Sequence, residues 1–136
     1  MNTPTALALT GFIAWTLALL LLMEALRSKL VLARQVQANG FRPDNANLSP
    51  FMQRLARAHA NCLEGLPVFG GLMVVALLTG RSGVTDPLAF VLLGARIVQS
   101  TIHLASVGNT AVTLRFVAFA VQMGIGVVWC WQLLLG

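Results

Sequence analysis

Charged residues are scarce in this chain, and the few present are unevenly distributed. The 136 residues include nine Lys or Arg and four Asp or Glu, so 10% are charged, against about 25% in ordinary globular proteins. Residues 1–23 and 116–136 contain no charge, and each run approaches the ~20 apolar residues that cross a hydrocarbon core. With 57% hydrophobic residues, this composition excludes intrinsic disorder and a cytosolic enzyme. We predict an integral membrane protein.

Cysteine is also scarce. The two cysteines, Cys62 and Cys130, cannot form a disulfide framework, which excludes a secreted disulfide scaffold. Both lie in apolar segments, and we interpret them as small buried apolar residues. With His59 and His103 they give no spacing typical of a metal site. We therefore predict no metal.

The positive charges flank apolar spans. In a soluble domain the net charge of +5 would suggest a nucleic-acid partner, but membrane lipids and membrane topology explain the cations here, and we expect no nucleic acid.

The second connection carries only Arg81, whereas six Lys or Arg lie near the first: Arg27, Lys29, Arg34, Arg42, Arg54 and Arg57. The first connection is thus predicted to face the cytoplasm, with both termini on the non-cytoplasmic side. We read the first apolar run as a retained anchor and expect a multi-pass protein of the bacterial inner membrane.

Proline and capping residues mark the starts of the predicted helices and divide the chain into four. A capping side chain followed by proline suits a helix start, because the first helical N–H has no intrahelical partner. Three such pairs occur: Thr3-Pro4, Ser49-Pro50 and Asp86-Pro87. A fourth start is expected near Asn109 or Thr110. The sequence predicts an all-α protein with one up-down bundle of transmembrane helices over residues 1–136. The expected helices are about 5–35, 51–79, 87–107 and 112–135.

Polar side chains recur at helical spacing within the second and third predicted helices. At 100° per residue, Arg57, Asn61 and Glu64 share one face of the second helix. A similar face on the third comprises Arg96, Gln99, Ser100 and His103. A charge at the centre of a span costs about 2.5–3.5 kcal/mol on insertion scales, so these side chains need partners or water. Two polar faces predict a hydrated cleft between the helices.

Cations outnumber acids in this predicted cleft. Glu64 is accompanied by Arg57, Arg96 and Arg115, and a bound anionic ligand would balance the surplus. The alternative is a structural ion network without a ligand. Arg115 is expected in the first turn of the fourth helix, where the dipole disfavours a cation by about 0.3–1 kcal/mol. A residue that snorkels to the head groups is an equally good interpretation of it.

The segment at residues 57–69, RAHANCLEGLPVF, resembles the signature of the MAPEG family, the membrane-associated proteins in eicosanoid and glutathione metabolism. Arg, Ala, Asn, Glu, Pro and Phe stand at the family's spacing at the head of the second of four helices. The chain length and the arginines of the third and fourth helices agree as well, so the resemblance covers essentially the whole sequence. It implies a homotrimer that binds glutathione between subunits and acts on a hydrophobic electrophile.

The resemblance also implies roles for individual residues. Arg115 aligns with the family's thiolate-stabilising arginine, and we expect it to be catalytic. An arginine about 4 Å from the sulfur is worth about 4 kcal/mol at an effective dielectric near 20. Lowering a thiol pKa from ~8.5 to about 6.5 needs only about 2.7 kcal/mol. The residues implied to hold glutathione are Arg34, Arg57, Asn61, Glu64, Arg96 and His103.

Departures from the family pattern narrow the expected function. Gly65 stands where several eicosanoid-forming members carry Tyr, and Gln99 and His103 stand where they carry aromatic or histidine residues. Ala60 replaces a second arginine of the prostaglandin-synthase branch. These differences favour a general glutathione transferase or peroxidase of a detoxification type. Two alternatives stay open: a non-catalytic, lipid-binding scaffold of the same fold, and a small proton-coupled exporter, whose site should be acidic and free of arginines.

Overall fold

The computed structural model describes residues 2–136; Met1, the first residue of the predicted domain, lies outside the described residues. The chain folds into four long helices: α1 (Pro4–Leu32), α2 (Pro50–Leu78), α3 (Ser82–Ala105) and α4 (Asn109–Leu135). All four are long and apolar enough to cross a membrane. The predicted all-α, four-helix membrane fold is confirmed, whereas the homotrimer stays a prediction.

Side chains cap the first two helices as their sequences predict. Thr3 accepts a hydrogen bond from the backbone N–H of Ala6 at 3.1 Å, and Ser49 accepts one from Met52 at 3.3 Å. A proline follows each cap in the first turn. These caps satisfy N–H groups that have no acceptor within their own helix.

The predicted start of the third helix at Pro87 is wrong. α3 begins at Ser82 and contains Pro87. Asp86 does not cap its own helix: its carboxylate accepts hydrogen bonds from the backbone N–H of Thr5 at 3.0 Å and from the Thr5 hydroxyl at 2.5 Å. Asp86 therefore caps the N-terminus of α1. The Asp86-Pro87 pattern reflects a contact between two helices and not a helix start.

The first helix is shorter than the predicted span of about 5–35. α1 ends at Leu32, and Arg34 has a φ of 58°, which lies in the left-handed region and cannot continue an α-helix. The N–H groups of Gln35 and Val36 turn back to the carbonyl of Leu30 at 2.9 and 3.4 Å. Arg34 thus lies in a turn after α1.

A π-helical turn interrupts α2. The helix is α-helical over Pro50–Gly65 and Gly71–Leu78, with the π turn at Leu66–Gly70 between them. Pro67 lies in this turn, and its ring nitrogen has no N–H to donate. The wider turn accommodates the missing hydrogen bond without ending the helix.

α3 occupies the centre of the bundle and packs against each of the other helices. α1 contacts α2 but not α4, and in the described chain the half of α2 before its π turn does not contact α4. α4 meets α2 only at the π turn and beyond it. α2 and α4 therefore diverge toward one end of the bundle, with α3 between them.

Arg81 fixes the far end of α4. Its Nη1 and Nη2 atoms donate to the carbonyls of Leu133 and Gln132 at 2.9 and 2.7 Å. A guanidinium group at this position adds hydrogen bonds to carbonyls of the last turn and complements the negative end of the helix dipole. The C-terminus of α4 is thereby attached to the connection between α2 and α3.

Candidate functional site

A groove of about 790 Å³ runs along one side of the bundle between α2 and α4, with α3 contributing two residues at one end. Four polar residues lie together toward one end of its lining: Asn61 and Glu64 from α2, and Arg96 and Gln99 from α3. The remaining lining is largely apolar and comes mainly from α2 and α4. The groove therefore joins a polar region to an apolar channel.

Arg96 is the one Arg, Lys, Asp or Glu residue that is buried within residues 2–136, at 1% exposure. Its Nη1 donates to the backbone carbonyl of Asn61 at 3.3 Å, and its guanidinium carbon lies 5.4 Å from the centroid of the Phe12 ring. Its Nε and Nη2 atoms have no hydrogen-bond partner in the described chain. Because a buried charge is costly unless it is paired, these two donors lack a partner that the described residues could have supplied.

Asn61 connects the polar region of the groove to the end of α3. Its side-chain N–H donates to Nδ1 of His103 at 3.3 Å, and His103 is buried. The polar faces predicted on the second and third helices thus meet through two contacts of Asn61, one from its backbone to Arg96 and one from its side chain to His103.

Three further guanidinium groups lie within electrostatic range of the His103 ring, those of Arg54, Arg57 and Arg115. Arg54 is fixed there because its Nε donates to the carbonyl of Leu104 at 2.8 Å. The region around His103, next to the polar end of the groove, is consequently rich in positive charge.

Glu64 and Arg57 are both exposed and are not paired with each other. Within residues 2–136 the single ion pair joins Arg27 to Glu24 at 3.3 Å. The alternative prediction of a structural ion network around Glu64 is therefore wrong for the described chain. Glu64 instead presents a free carboxylate to the groove.

Arg115 lies deeper in its helix than its sequence position suggested. Because α4 begins at Asn109, Arg115 is in the second turn, where the dipole acts more weakly. It is half-buried, and its Nε has no hydrogen-bond partner in the part of the chain that the structure describes. It stands near His103 and does not belong to the groove lining.

Arg34 is not brought to the other predicted site residues within one chain. It is exposed in the turn after α1 and borders a separate surface depression formed by residues 31 and 34–38. Asn61, Glu64 and Arg96 thus line one end of the groove, and His103 is joined to them through Asn61. Arg57 lies near His103 outside the lining, and Arg34 lies apart.

Two buried contacts of this region were not predicted from the sequence. Phe12 packs against Arg96, and nothing distinguishes it from other apolar residues of α1. Gln122 is fully buried in α4, donates to Oε1 of Gln99 at 2.8 Å, and has a side-chain oxygen without a partner in the described residues. An amide near the middle of the charge-free run of the fourth helix was the signal that could have identified it.

The two cysteines differ from each other. Cys62 is buried as predicted, with its sulfur 3.3 Å from the hydroxyl of Ser100. Cys130 is exposed and lines the groove, so the prediction that it is buried is wrong. Among residues 2–136, no group of three or more His, Cys, Asp or Glu side chains is placed to hold a metal ion.

Comparison with known proteins gives one family. The model of the MAPEG family matches residues 5–135, which include all but the first residue of α1 and the whole of α2, α3 and α4. No curated protein and no solved structure matches the chain.

Proposed function

Because the chain belongs to the MAPEG family, we propose that it is a membrane-embedded glutathione transferase or peroxidase. Members of the family are mostly glutathione-dependent transferases or peroxidases, or enzymes of eicosanoid metabolism, and are typically trimeric membrane proteins. The observation that carries the proposal is Arg96, a buried guanidinium group with two free donors in the wall of an otherwise apolar groove.

The polar end of the groove matches the charges of glutathione. The tripeptide carries two carboxylates and one ammonium group. Guanidinium groups bind carboxylates through charge-assisted hydrogen bonds, a role that suits Arg57 and the free donors of Arg96. The unpaired carboxylate of Glu64 suits the ammonium group. Asn61 and His103 supply further hydrogen bonds beside them.

Arg34 acts across a subunit interface in this proposal. Within one chain it lies away from the groove, so it reaches glutathione only if the tripeptide binds between subunits of a homotrimer. The exposed positions of Arg57 and Glu64 agree with a ligand that touches two chains at once. The first connection, which contains Arg34, would face the cytoplasm of a bacterial inner membrane.

Arg115 is the proposed catalytic residue. The thiolate, and not the thiol, is the nucleophile, and an ordinary thiol pKa near 8.5 leaves little thiolate at neutral pH. A nearby guanidinium group favours the anion and so lowers the pKa of the bound thiol. The sulfur then attacks an electrophilic carbon of the acceptor, and the leaving group departs with the electron pair of the bond that breaks.

The apolar length of the groove is the proposed path of the acceptor. Its volume of about 790 Å³ falls in the range of small-molecule sites, ~300–1,000 Å³. Val68 and Leu72 of α2 line it opposite Met123 and Val127 of α4. An apolar electrophile dissolved in the bilayer can therefore reach the polar end without crossing water.

Titration of the detergent-solubilised protein with glutathione tests the proposal. Saturable binding, followed by conjugation of a chlorinated aromatic acceptor, is the expected result. No binding at millimolar glutathione would remove the enzymatic function.

A second candidate is a non-catalytic member of the family that binds a lipid. The mainly apolar lining of the groove favours it. Such a protein would bind a fatty-acyl probe and would not bind glutathione, so the same purified sample distinguishes the two functions.

A further inference from the structure

We propose that Gly65 is a positioning residue that leaves, beside α2, the space in which the guanidinium group of Arg96 lies. A Cβ atom at residue 65 would be 2.5 Å from Nη2 of Arg96 and 3.2 Å from its guanidinium carbon. The first distance is shorter than real Cβ contacts. The observed position of Arg96 is thus incompatible with any side chain at residue 65.

Backbone conformation does not explain this glycine. Gly65 has φ −76° and ψ −29°, which is ordinary right-handed helix that any residue adopts. Glycine weakens a helix relative to alanine, so the position carries a cost to α2. What the glycine provides is the absence of a side chain at the point where Arg96 meets α2.

The other contacts of Arg96 determine how it would respond to a larger residue. The Phe12 ring lies 5.4 Å from the guanidinium carbon, and the carbonyl of Asn61 accepts a hydrogen bond from Nη1. Nη2 is the end of a flexible side chain, so a methyl group at residue 65 is accommodated by movement of the guanidinium group and not by separation of α2 from α3. That movement breaks the bond to Asn61 and redirects the free donors.

Gly65 therefore determines where the guanidinium group of Arg96 lies in the lining of the groove. Gly65 and Arg96 both line it, next to Asn61 and Glu64. The consequence for glutathione rests on the proposed function, in which Arg96 receives one of the carboxylates. The fit of Arg96 beside Gly65 is a property of the unliganded protein and does not depend on that function.

The test compares Gly65→Ala with Gly71→Ala. Gly71 lies in the same helix with right-handed φ and ψ, and a Cβ added there would meet nothing within 4 Å. The first measurement is the 15N NMR signal of the Arg96 Nε–H in detergent, assigned by its loss in Arg96→Met. The signal should shift in Gly65→Ala and stay in place in Gly71→Ala. An unmoved signal in Gly65→Ala overturns the proposal.

The second measurement is glutathione affinity. Gly65→Ala should weaken binding about tenfold or more, the effect of losing one hydrogen bond to a charged group, and Gly71→Ala should change it by less than about twofold. In an Arg96→Met background, Gly65→Ala should have no further effect, because it acts through the guanidinium group. Equal losses in both backgrounds overturn the positioning role.

The experiments distinguish an error in the proposed function from an error in the role of Gly65. If the wild-type protein binds no glutathione, that function is wrong, and the NMR comparison still decides the role of Gly65. If Gly65→Ala does not fold, the double variant with Arg96→Met should recover folded protein, since the methyl group then has space. A double variant that also fails to fold contradicts the proposal.

Discussion

At the scale of single residues, the energetics of Arg96 point to a missing partner. Burial of one charge costs several kcal/mol even after relaxation. Its contact with Phe12 offsets about 2 kcal/mol when it is desolvated, and its hydrogen bond to the carbonyl of Asn61 contributes about 1.5–3 kcal/mol. The two remaining donors, Nε and Nη2, are where an anionic group would offset the rest.

Replacement of Arg115 by alanine should separate chemistry from binding. Because a thiolate stabiliser acts mainly on the reactive species, Arg115→Ala should lower turnover with a chlorinated aromatic acceptor about 30-fold or more, while the Kd for glutathione changes by less than about threefold. Steady-state kinetics and calorimetry measure the two quantities. Equal losses in both would assign Arg115 to glutathione binding alone.

Neutralisation of Glu64 should act on binding. Glu64→Gln removes the charge that we propose faces the ammonium group of glutathione, and it should weaken glutathione affinity about tenfold, the usual value of a charge-assisted hydrogen bond. Glu24→Gln is the matched control, because Glu24 is exposed and pairs with Arg27. Unchanged affinity in Glu64→Gln would make this acid structural.

The sequence predicted the polar side chains of the site more fully than their partners. Helical periodicity was sufficient to group Asn61 with Glu64 and Arg96 with His103, because these residues fall on single faces. Periodicity does not determine which apolar residue of a neighbouring helix lies under a charge, so Phe12 was not predicted. Nor does it determine where a helix unwinds, which is why Arg34 was expected at the end of α1 and lies in a turn.

At the scale of elements, Asp86 illustrates a cap supplied by a neighbouring helix. Its carboxylate accepts from the backbone and the hydroxyl of Thr5, and the Thr5 and Thr85 hydroxyls lie 2.6 Å apart. The dipeptide Asp86-Pro87 looks like a local helix start because acid and proline favour the first turn of any helix. Sequence alone cannot reveal that the acid faces α1.

Loss of this cap should destabilise the bundle. Asp86→Ala leaves the backbone N–H of Thr5 without its acceptor and should lower the free energy of unfolding by about 1–2 kcal/mol. Thermal unfolding in detergent measures the change. Asp44→Ala is the control, since Asp44 accepts only from Ala46 in an exposed loop. Equal stability of the two variants would show that the hydrogen bonds of Asp86 to Thr5 contribute nothing to the free energy of unfolding.

At the scale of the whole molecule, the separation of Arg34 from Glu64 allows a complementation experiment. In the proposed homotrimer a site takes Arg34 from one subunit and Glu64 from its neighbour. Arg34→Ala and Glu64→Gln trimers should each bind glutathione weakly, and co-expressed subunits should recover a fraction of wild-type sites in mixed trimers. Calorimetry of the tandem-purified mixture measures that fraction. No recovery would argue that each site lies within one chain.

The membrane architecture was predictable because lipid leaves few alternatives. Backbone groups in hydrocarbon must be satisfied within the segment, so long apolar runs become helices. The groove was less predictable. Its shape depends on how α2 and α4 pack against each other at the π turn Leu66–Gly70 and beyond it, and not on the pattern of either helix alone. The polar faces indicated a cleft, but not its apolar wall.

The contact between the π turn and α4 has a consequence for selectivity. A Cβ at Gly126 would lie 3.1 Å from the Phe69 ring, so the two helices are in close contact at this level, while the first half of α2 stands clear of α4. Phe69 and Gly126 both line the groove, so their contact forms part of its floor, and the groove continues beyond it along Leu72, Val127 and Leu134. In the proposed enzyme, a flat aromatic acceptor should therefore lie closer to this floor than a branched acceptor of equal length.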